Sequence, residues 1–273
     1  MNNFSTDISS LPKNWEVPSF EILMGEEKKQ VHAVVIPVIN EGERIQRLLT
    51  KMFHLEIHKK ADIIIVDGGS TDGSLNQKSL KENGIAFLIK KTGPGKLSSQ
   101  LRCAYAFALI QGYKGIITID GNDKDDPKDI PAFIDALDNG FDFVQASRFV
   151  KGGIGINTPL SRLLAIKFIH APFLSFASGF KWTDTTQGFR GYSSRMLLDP
   201  KVAPFRDVFS GYELLAYLSY RIPKLGYKCI ELPTSRIYPK DEVPTKISWL
   251  RGNMDLMAVL LKTVMGKYNP IEN

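Results

Sequence analysis

Apolar positions run without a break through VHAVVIPV (31–38), a β-branched stretch that reads as a strand buried on both faces. Ile45, Leu48, Leu49 and Met52 then recur at helical spacing and predict an amphipathic helix. ADIIIVD (61–67) is a second buried run, and it leads into GGSTDGS. A helix is predicted over 73–83, a third strand over IAFLIK (85–90), a loop over 92–96, a helix over 97–111, and a fourth strand over GIITID (115–120). Strands that alternate with helices at this spacing predict an α/β fold, a mainly parallel sheet with helices on both faces. Residues 1–30 are polar and irregular, with Pro12 and Pro18, and predict an arm outside the core.

The pattern changes near residue 150. KGGIGIN reads as a loop, and 159–180 is apolar but interrupted by Pro172 and Gly179. TDTTQGFRGY, a helix over 212–221, a strand in GYKCIELP and a basic loop with Arg236, Lys240 and Lys246 follow. Leu250, Met254, Met257, Leu261 and Val264 place one apolar face on a terminal helix. The expected division is an arm (1–30), a first half (31–150), a second half of the same domain (151–248) and a helical tail (249–273). Lys167, His170 and Pro172 argue against a membrane span in the first apolar stretch. The second is short and contains Asp255 and Lys262. With no basic and apolar leader at the N-terminus, a cytoplasmic protein is expected, attached peripherally to an anionic membrane face by these stretches and the basic loop. Packing on the core or a homodimer interface is the other reading of the two stretches.

Composition adds little to this picture. The chain has 273 residues, and Lys+Arg 35 against Asp+Glu 29 gives +6. That excess suits a phosphate-bearing small molecule or an anionic surface, and no basic, aromatic-interleaved cluster points to nucleic acid. Cys103 and Cys229 are far apart and suggest neither a disulfide framework nor a zinc site.

In open α/β sheets ligands bind beyond the carboxyl ends of the strands. Asn40 and Glu41, Asp67, and Asp120 each follow an apolar strand there. VDGGSTDGS (66–74) offers a carboxylate for a base or ribose and glycines for close approach, with Ser70 and Asp72 as caps for the next helix; the alternative is a plain Gly-rich turn. IDGNDKDDP (119–127) concentrates hard oxygen ligands suited to Mg²⁺ or Mn²⁺ bound with phosphates. Asp120 is assigned to the metal, and Asp125 and Asp126 mostly to an acidic turn before a helix.

VVIPVINEGERI, IIIVDGGSTDGS, TGPGK, IDGND, ASRF, DTTQGFR and YELLAYLSYRIPKLGYKCIELP occur in an order that resembles family 2 glycosyltransferases, in particular the dolichyl- and polyprenyl-phosphate sugar transferases. The resemblance implies a GT-A fold, a nucleoside-diphosphate sugar donor, a divalent metal and inversion at the anomeric carbon. It further implies that Pro37, Asn40, Glu41, Asp67, Gly68 and Lys96 bind the donor nucleotide and that Asp120 and Asn122 hold the metal. Arg148 would face the phosphates. Asp184, Gln187 and Arg190 would lie at the acceptor side, with Asp184 as the base if one is needed. Arg236, Lys240 and Lys246 would belong to a loop over the phosphates. Two departures matter. Asp67-Gly68 stands where the family has two acids, and Asn122 is a neutral second ligand, which implies either a lower metal affinity or compensation by Asp123. The expected activity is transfer of a sugar to a polyprenyl phosphate; the alternatives are extension of a saccharide, or a nucleotide-sugar-binding protein without catalysis.

Overall fold

A computed structural model describes residues 11–240 and 249–271. Chain contacts group the residues up to Asp123 with Pro204–Gly211 as one unit, and Lys124–Ala203 with the residues from Tyr212 on as a second. The boundary expected near residue 150 therefore falls at Asp123. The reason is local: the Asp126 N–H donates to Ser235 O at 3.2 Å and the Ile237 N–H to Lys124 O at 2.8 Å, which ties 124–126 into the second unit.

The first unit contains β1 (Phe20–Gly25), β2 (His32–Val38), α1 (Glu43–His54), β3 (Asp62–Asp67), α2 (Gln77–Glu82), β4 (Ile85–Lys91), α3 (Leu97–Ile110) and β5 (Gly115–Thr118). Its strands lie in the order β1-β4-β3-β2-β5. The pairs β2–β3, β3–β4 and β2–β5 are parallel, and β1 runs antiparallel to β4. The α/β expectation is observed, with one correction. Residues 20–25 are not an arm: β1 covers the sheet edge and buries Phe20 and Met24. Pro37 is tolerated in a central strand because the last β2–β5 bond, from the Ile119 N–H to Val35 O, precedes it. β2 and β3 end in register, Val38 beside Asp67. The next helix starts later than expected. Asn76, not Ser70 or Asp72, caps α2 by accepting from the Lys78 and Ser79 N–H groups.

The second unit contains α4 (Ile130–Asp138), β6 (Phe143–Ser147), β7 (Ile154–Ile156), α5 (Leu160–Ala165), α6 (Ala171–Ser178), β8 (Arg190–Ser193), α7 (Ser194–Leu197), α8 (Glu213–Lys224), β9 (Cys229–Pro233), β10 (Ser235–Ile237) and α9 (Trp249–Val264). β6 pairs antiparallel with β8 and parallel with β9, and β7 and β10 form a separate parallel ribbon. Pro172 does not break the apolar stretch. A π turn at Ile166–His170 joins α5 to α6 and absorbs the missing N–H, and Gly179 at φ 77° ends the helix. The resulting Leu160–Ser178 helix has 19 residues and is long and apolar enough, by length and composition, to cross a membrane. α9 packs on α6 and α8. Among the described side chains it buries Leu260 and Thr263, half-buries Met257 and Val264 and leaves Leu261 exposed, whereas the side chains of Leu250 and Met254 on the expected apolar face lie outside the described ones.

Candidate active site

In the first unit, the loops after β2 and β3 are tied to each other. Asn40, at φ 48°, accepts from the Thr71 N–H at 2.8 Å through Oδ1 and donates its own N–H to Ser70 Oγ at 3.1 Å. The Gly42 N–H donates to Asp72 Oδ2 at 2.8 Å. Burial opposes ionisation of Asp72, but the Ser74 hydroxyl and N–H and the Gly42 N–H outweigh it and lower its pKa. Asp67 Oδ1 accepts from the Gly69 and Ser70 N–H groups at 3.0 and 2.7 Å and so shapes the turn. Its Oδ2 accepts no hydrogen bond among the described residues. Glu41 does not stand alone, because Arg44 Nε lies 3.0 Å from its carboxylate.

Sequence reasoning missed Gln100. This buried α3 amide donates to Val38 O at 2.9 Å and to Val66 O at 2.6 Å, and so clamps the carboxyl ends of β2 and β3. A Cβ on Gly68 would sit 3.2 Å from that amide, which is the physical reason for a glycine beside Asp67. The available signal was a polar residue among the buried residues of α3. Lys96 precedes α3 with its side chain exposed. Its N–H is committed to Ser210 O at 2.6 Å, and the Ser98 N–H to Gly211 O at 2.8 Å.

Asp120 and Asn122 follow β5 and are half-buried. Gly121 between them passes under β2, where a Cβ would meet Pro37 O and Val38 Cγ2 at 3.1 Å. Asp123 is bound to α1 instead: Lys51 Nζ lies at 2.7 Å and Arg47 Nε at 3.3 Å. Asp123 is thus a counter-ion of α1, which goes with the alternative of a metal site that Asp123 does not complete. Among the described residues no three His, Cys, Asp or Glu side chains form a metal cage. One carboxylate and one amide, both hard oxygen donors, fit a Mg²⁺ or Mn²⁺ ion held chiefly by a ligand's phosphates.

The second unit gathers Arg148, Asp184 and Arg236 around a residue not anticipated, Tyr238. Arg148 follows β6, and its Nε donates to Asp184 Oδ2 at 2.7 Å, with both side chains buried. Arg236, on the inner face of β10, pairs with buried Asp125. Asp125 is therefore an internal counter-ion and not a solvated turn acid, whereas Asp126 caps the following turn as expected. Arg162, carried by α5, is also drawn in. Arg162 Nη1, Arg236 Nε and Arg148 Nη1 donate to the Tyr238 hydroxyl at 3.1, 3.3 and 3.5 Å. Half-buried Arg162 and exposed Thr186 form the accessible rim of this cluster. The Thr186 hydroxyl accepts from Arg148 Nη2 at 3.2 Å.

Three acceptor-side expectations change. Asp184 is fully buried and accepts from Arg148, from the Thr186 N–H and hydroxyl, and from Gln187 Nε2. Both of its oxygens are thus used, and its geometry is that of a counter-ion for Arg148, not of an open base. Gln187 is buried behind it. Arg190 is fully buried and spends its donors on the carbonyls of Gln187, Leu215 and Thr185 and on Ser219 Oγ, a structural tie. Glu231 was missed; it accepts from the Thr183 and Asp184 N–H groups at 2.9 Å and anchors the loop. Burial raises its pKa, offset in part by those N–H groups. Lys240 is exposed, and Lys246 lies outside the described residues.

A family model described as glycosyl transferase family 2 matches residues 33–199. The polyprenol monophosphomannose synthase of Mycolicibacterium smegmatis is 26% identical over 205 residues, which are 73% of this chain and 75% of that protein. The dolichol-phosphate mannosyltransferase of Pyrococcus furiosus is 30% identical over 141 residues, 50% of this chain and 38% of that protein. Among solved structures, glucosyl-3-phosphoglycerate synthase from Mycobacterium tuberculosis, crystallised with Mn²⁺, UDP and glucosyl-3-phosphoglycerate, superposes with a TM-score of 0.56. That match has 16% identity and covers 89% of this chain and 81% of that one, so it speaks to the fold alone. With more than half its length matched by the family model, the chain belongs to glycosyltransferase family 2.

Proposed function

We propose that the protein transfers a sugar, with inversion, from a nucleoside-diphosphate sugar to a polyprenyl phosphate at a membrane surface. The observation that carries the acceptor assignment is the convergence of Arg148, Arg162 and Arg236 on one point. Arg148 is paired with Asp184 and Arg236 with Asp125, and Arg162 brings a third guanidinium to the half-buried rim, a donor set suited to a phosphate. The names of the Mycolicibacterium and Pyrococcus relatives support the same acceptor class.

On this reading Asp67 and Asn40 orient the nucleoside. Asp120 and Asn122 hold a divalent cation, which when bound offsets charge developing on the leaving diphosphate. The acceptor oxygen is already anionic, so no general base is needed, in keeping with an Asp184 whose oxygens are both engaged. Arg148, Arg162 and Arg236 fix that oxygen and exclude water around it.

The Leu160–Ser178 helix supports the membrane assignment. One side buries Ile166, Ala171, Leu174 and Ser178 and delivers Arg162 to Tyr238. The other exposes Leu160, Leu164, Phe168 (73%), Phe173 and Phe176 (94%). A helix packed along one side and apolar along the other suits the bilayer interface, with Lys167 near the headgroups. The test is incubation with a panel of radiolabelled nucleotide sugars, Mg²⁺ or Mn²⁺ and total lipid extract. The reading predicts an organic-soluble, acid-labile labelled lipid. Label transferred only to added saccharide would favour the saccharide-extending alternative, and donor binding without turnover would favour the binding protein.

A further inference from the structure

Tyr238 is in an unusual position for a neutral phenol. Its backbone is pinned to the ribbon: the Tyr238 N–H donates to Ile156 O at 3.0 Å, and Asn157 Nδ2 donates to its carbonyl at 3.1 Å. The side chain is 3% exposed. Every described neighbour of its oxygen is a donor: Arg162 from α5, Arg236 from β10, and Arg148 from the loop after β6. Lys124 Nζ lies over the ring at 5.0 Å, and the Arg162 and Arg236 guanidiniums lie within 5.7 and 5.6 Å of its centroid. Guanidinium and ammonium groups accept no hydrogen bonds. Among the described residues, nothing takes the phenolic proton. Among the described residues, the carboxylates beside the arginines are Asp184 and Asp125, which pair with Arg148 and Arg236. His170 sits in the field of Arg162 and Asp184, and burial lowers its pKa, so it is neutral above pH 7.

We propose that Tyr238 is the positioning residue of the acceptor site: its oxygen holds the three arginines convergent in place of an anionic oxygen, and its ionisation closes the site to the acceptor phosphate. This inference rests on the phosphate-acceptor reading above. In the phenol state the arginines are aligned and their charge is left for the incoming phosphate. In the phenolate state the site supplies its own anion, and a phosphate at the Arg162 and Thr186 rim meets a neutralised and occupied cluster. The electrostatics agree with the geometry. Burial would raise the Tyr238 pKa, but the Arg236, Arg162 and Arg148 charges outweigh it and bring it down to about 8. A lowered pKa means that phenol prevails below about 8 and phenolate above it, so acceptor binding weakens as pH rises through that value. A phosphate monoester completes its second ionisation near pH 6, so the ligand's own charge is constant across this range.

The test is calorimetric titration of the full chain with farnesyl phosphate from pH 7 to pH 9.5, for wild type and Tyr238→Phe. If only the phenol form binds, the wild-type affinity at pH 9 is about tenfold weaker than at pH 7, the fraction remaining competent. Tyr238→Phe is expected to bind with an affinity that no longer changes with pH. Tyrosinate absorbance, wild type minus Tyr238→Phe, should show one group ionising near that midpoint, moved upward by farnesyl phosphate. This spectroscopic measurement holds independently of how stable the variant is. Farnesyl phosphate binding that is flat across this pH range in wild type, or a pH-dependence retained by Tyr238→Phe, overturns the role of Tyr238 and leaves the acceptor reading intact. No farnesyl phosphate binding at any pH overturns both.

Discussion

Replacing Asp184 by asparagine separates a counter-ion from a base. Asp184 and Arg148 bury their side chains to 0% and 1% exposure. The carboxylate accepts two bonds from Arg148, two from Thr186 and one from Gln187. An asparagine at this position keeps the shape but turns an NH₂ group toward these donors and leaves the Arg148 charge uncompensated. Breaking a buried pair by removing one partner costs about 3–5 kcal/mol. For a chain of this size that corresponds to roughly 6–20 °C in melting temperature. The assay is thermal and urea unfolding at pH 7 followed by circular dichroism, with Arg148→Met and the double variant completing the cycle. The double variant should be more stable than Asp184→Asn alone, because the orphaned charge is gone. An Asp184→Asn protein that loses less than about 1 kcal/mol, below the range for a broken buried pair, yet has no turnover would refute the counter-ion account and restore Asp184 as a base.

Other consequences are equally open to measurement. Gly68→Ala should press on the Gln100 amide and uncouple it from the Val38 and Val66 carbonyls, weakening nucleoside diphosphate binding by about 1–3 kcal/mol in calorimetry; an unchanged affinity would sink the clamp. Asp120→Ala should abolish turnover and Mn²⁺-dependent donor binding with the fold intact, whereas Asn122→Asp should preserve or raise metal affinity by restoring a hard charge. Near-normal activity in the first, or a large loss of metal binding in the second, goes against the assigned site. Phe168→Ser with Phe176→Ser should reduce flotation on anionic liposomes, each ring contributing about 1.5–3 kcal/mol when buried in lipid. Wild-type flotation should fall with salt, and a double variant that floats like wild type would remove the helix from the interface.

Most of the first unit was legible because β2, β3 and β4 are buried on both faces and read as unbroken apolar runs. β1 was not legible. An edge strand buries only alternate positions, Phe20 and Met24, and its short pattern is hidden in a polar segment. Pro172 looked like a helix break because the π turn that absorbs it has no signature in the residues. The loops proposed for the donor could be placed because their acids end apolar strands. Gln100, Arg162 and Tyr238 escaped because what defines them is distant in sequence: Val38 is 62 positions from Gln100, and Tyr238 is 76 from Arg162 and 90 from Arg148. The same distance hid the roles of Arg190 and Asp184. The motif DTTQGFR marks a loop correctly but does not say that its charged residues turn inward.

The measurement closest to the central claim is a comparison of farnesyl phosphate with farnesol as acceptors, under saturating nucleotide sugar and Mg²⁺, with wild type and Arg162→Ala. Arg162 donates to Tyr238 from the half-exposed rim of the cluster, so its loss should strike acceptor phosphate and spare donor binding. The account predicts labelled glycosyl phosphoprenol from wild type, none from farnesol, and a raised acceptor KM in Arg162→Ala with nucleoside diphosphate affinity unchanged. Equal transfer to farnesol, or an Arg162→Ala enzyme with the wild-type acceptor KM, would contradict it.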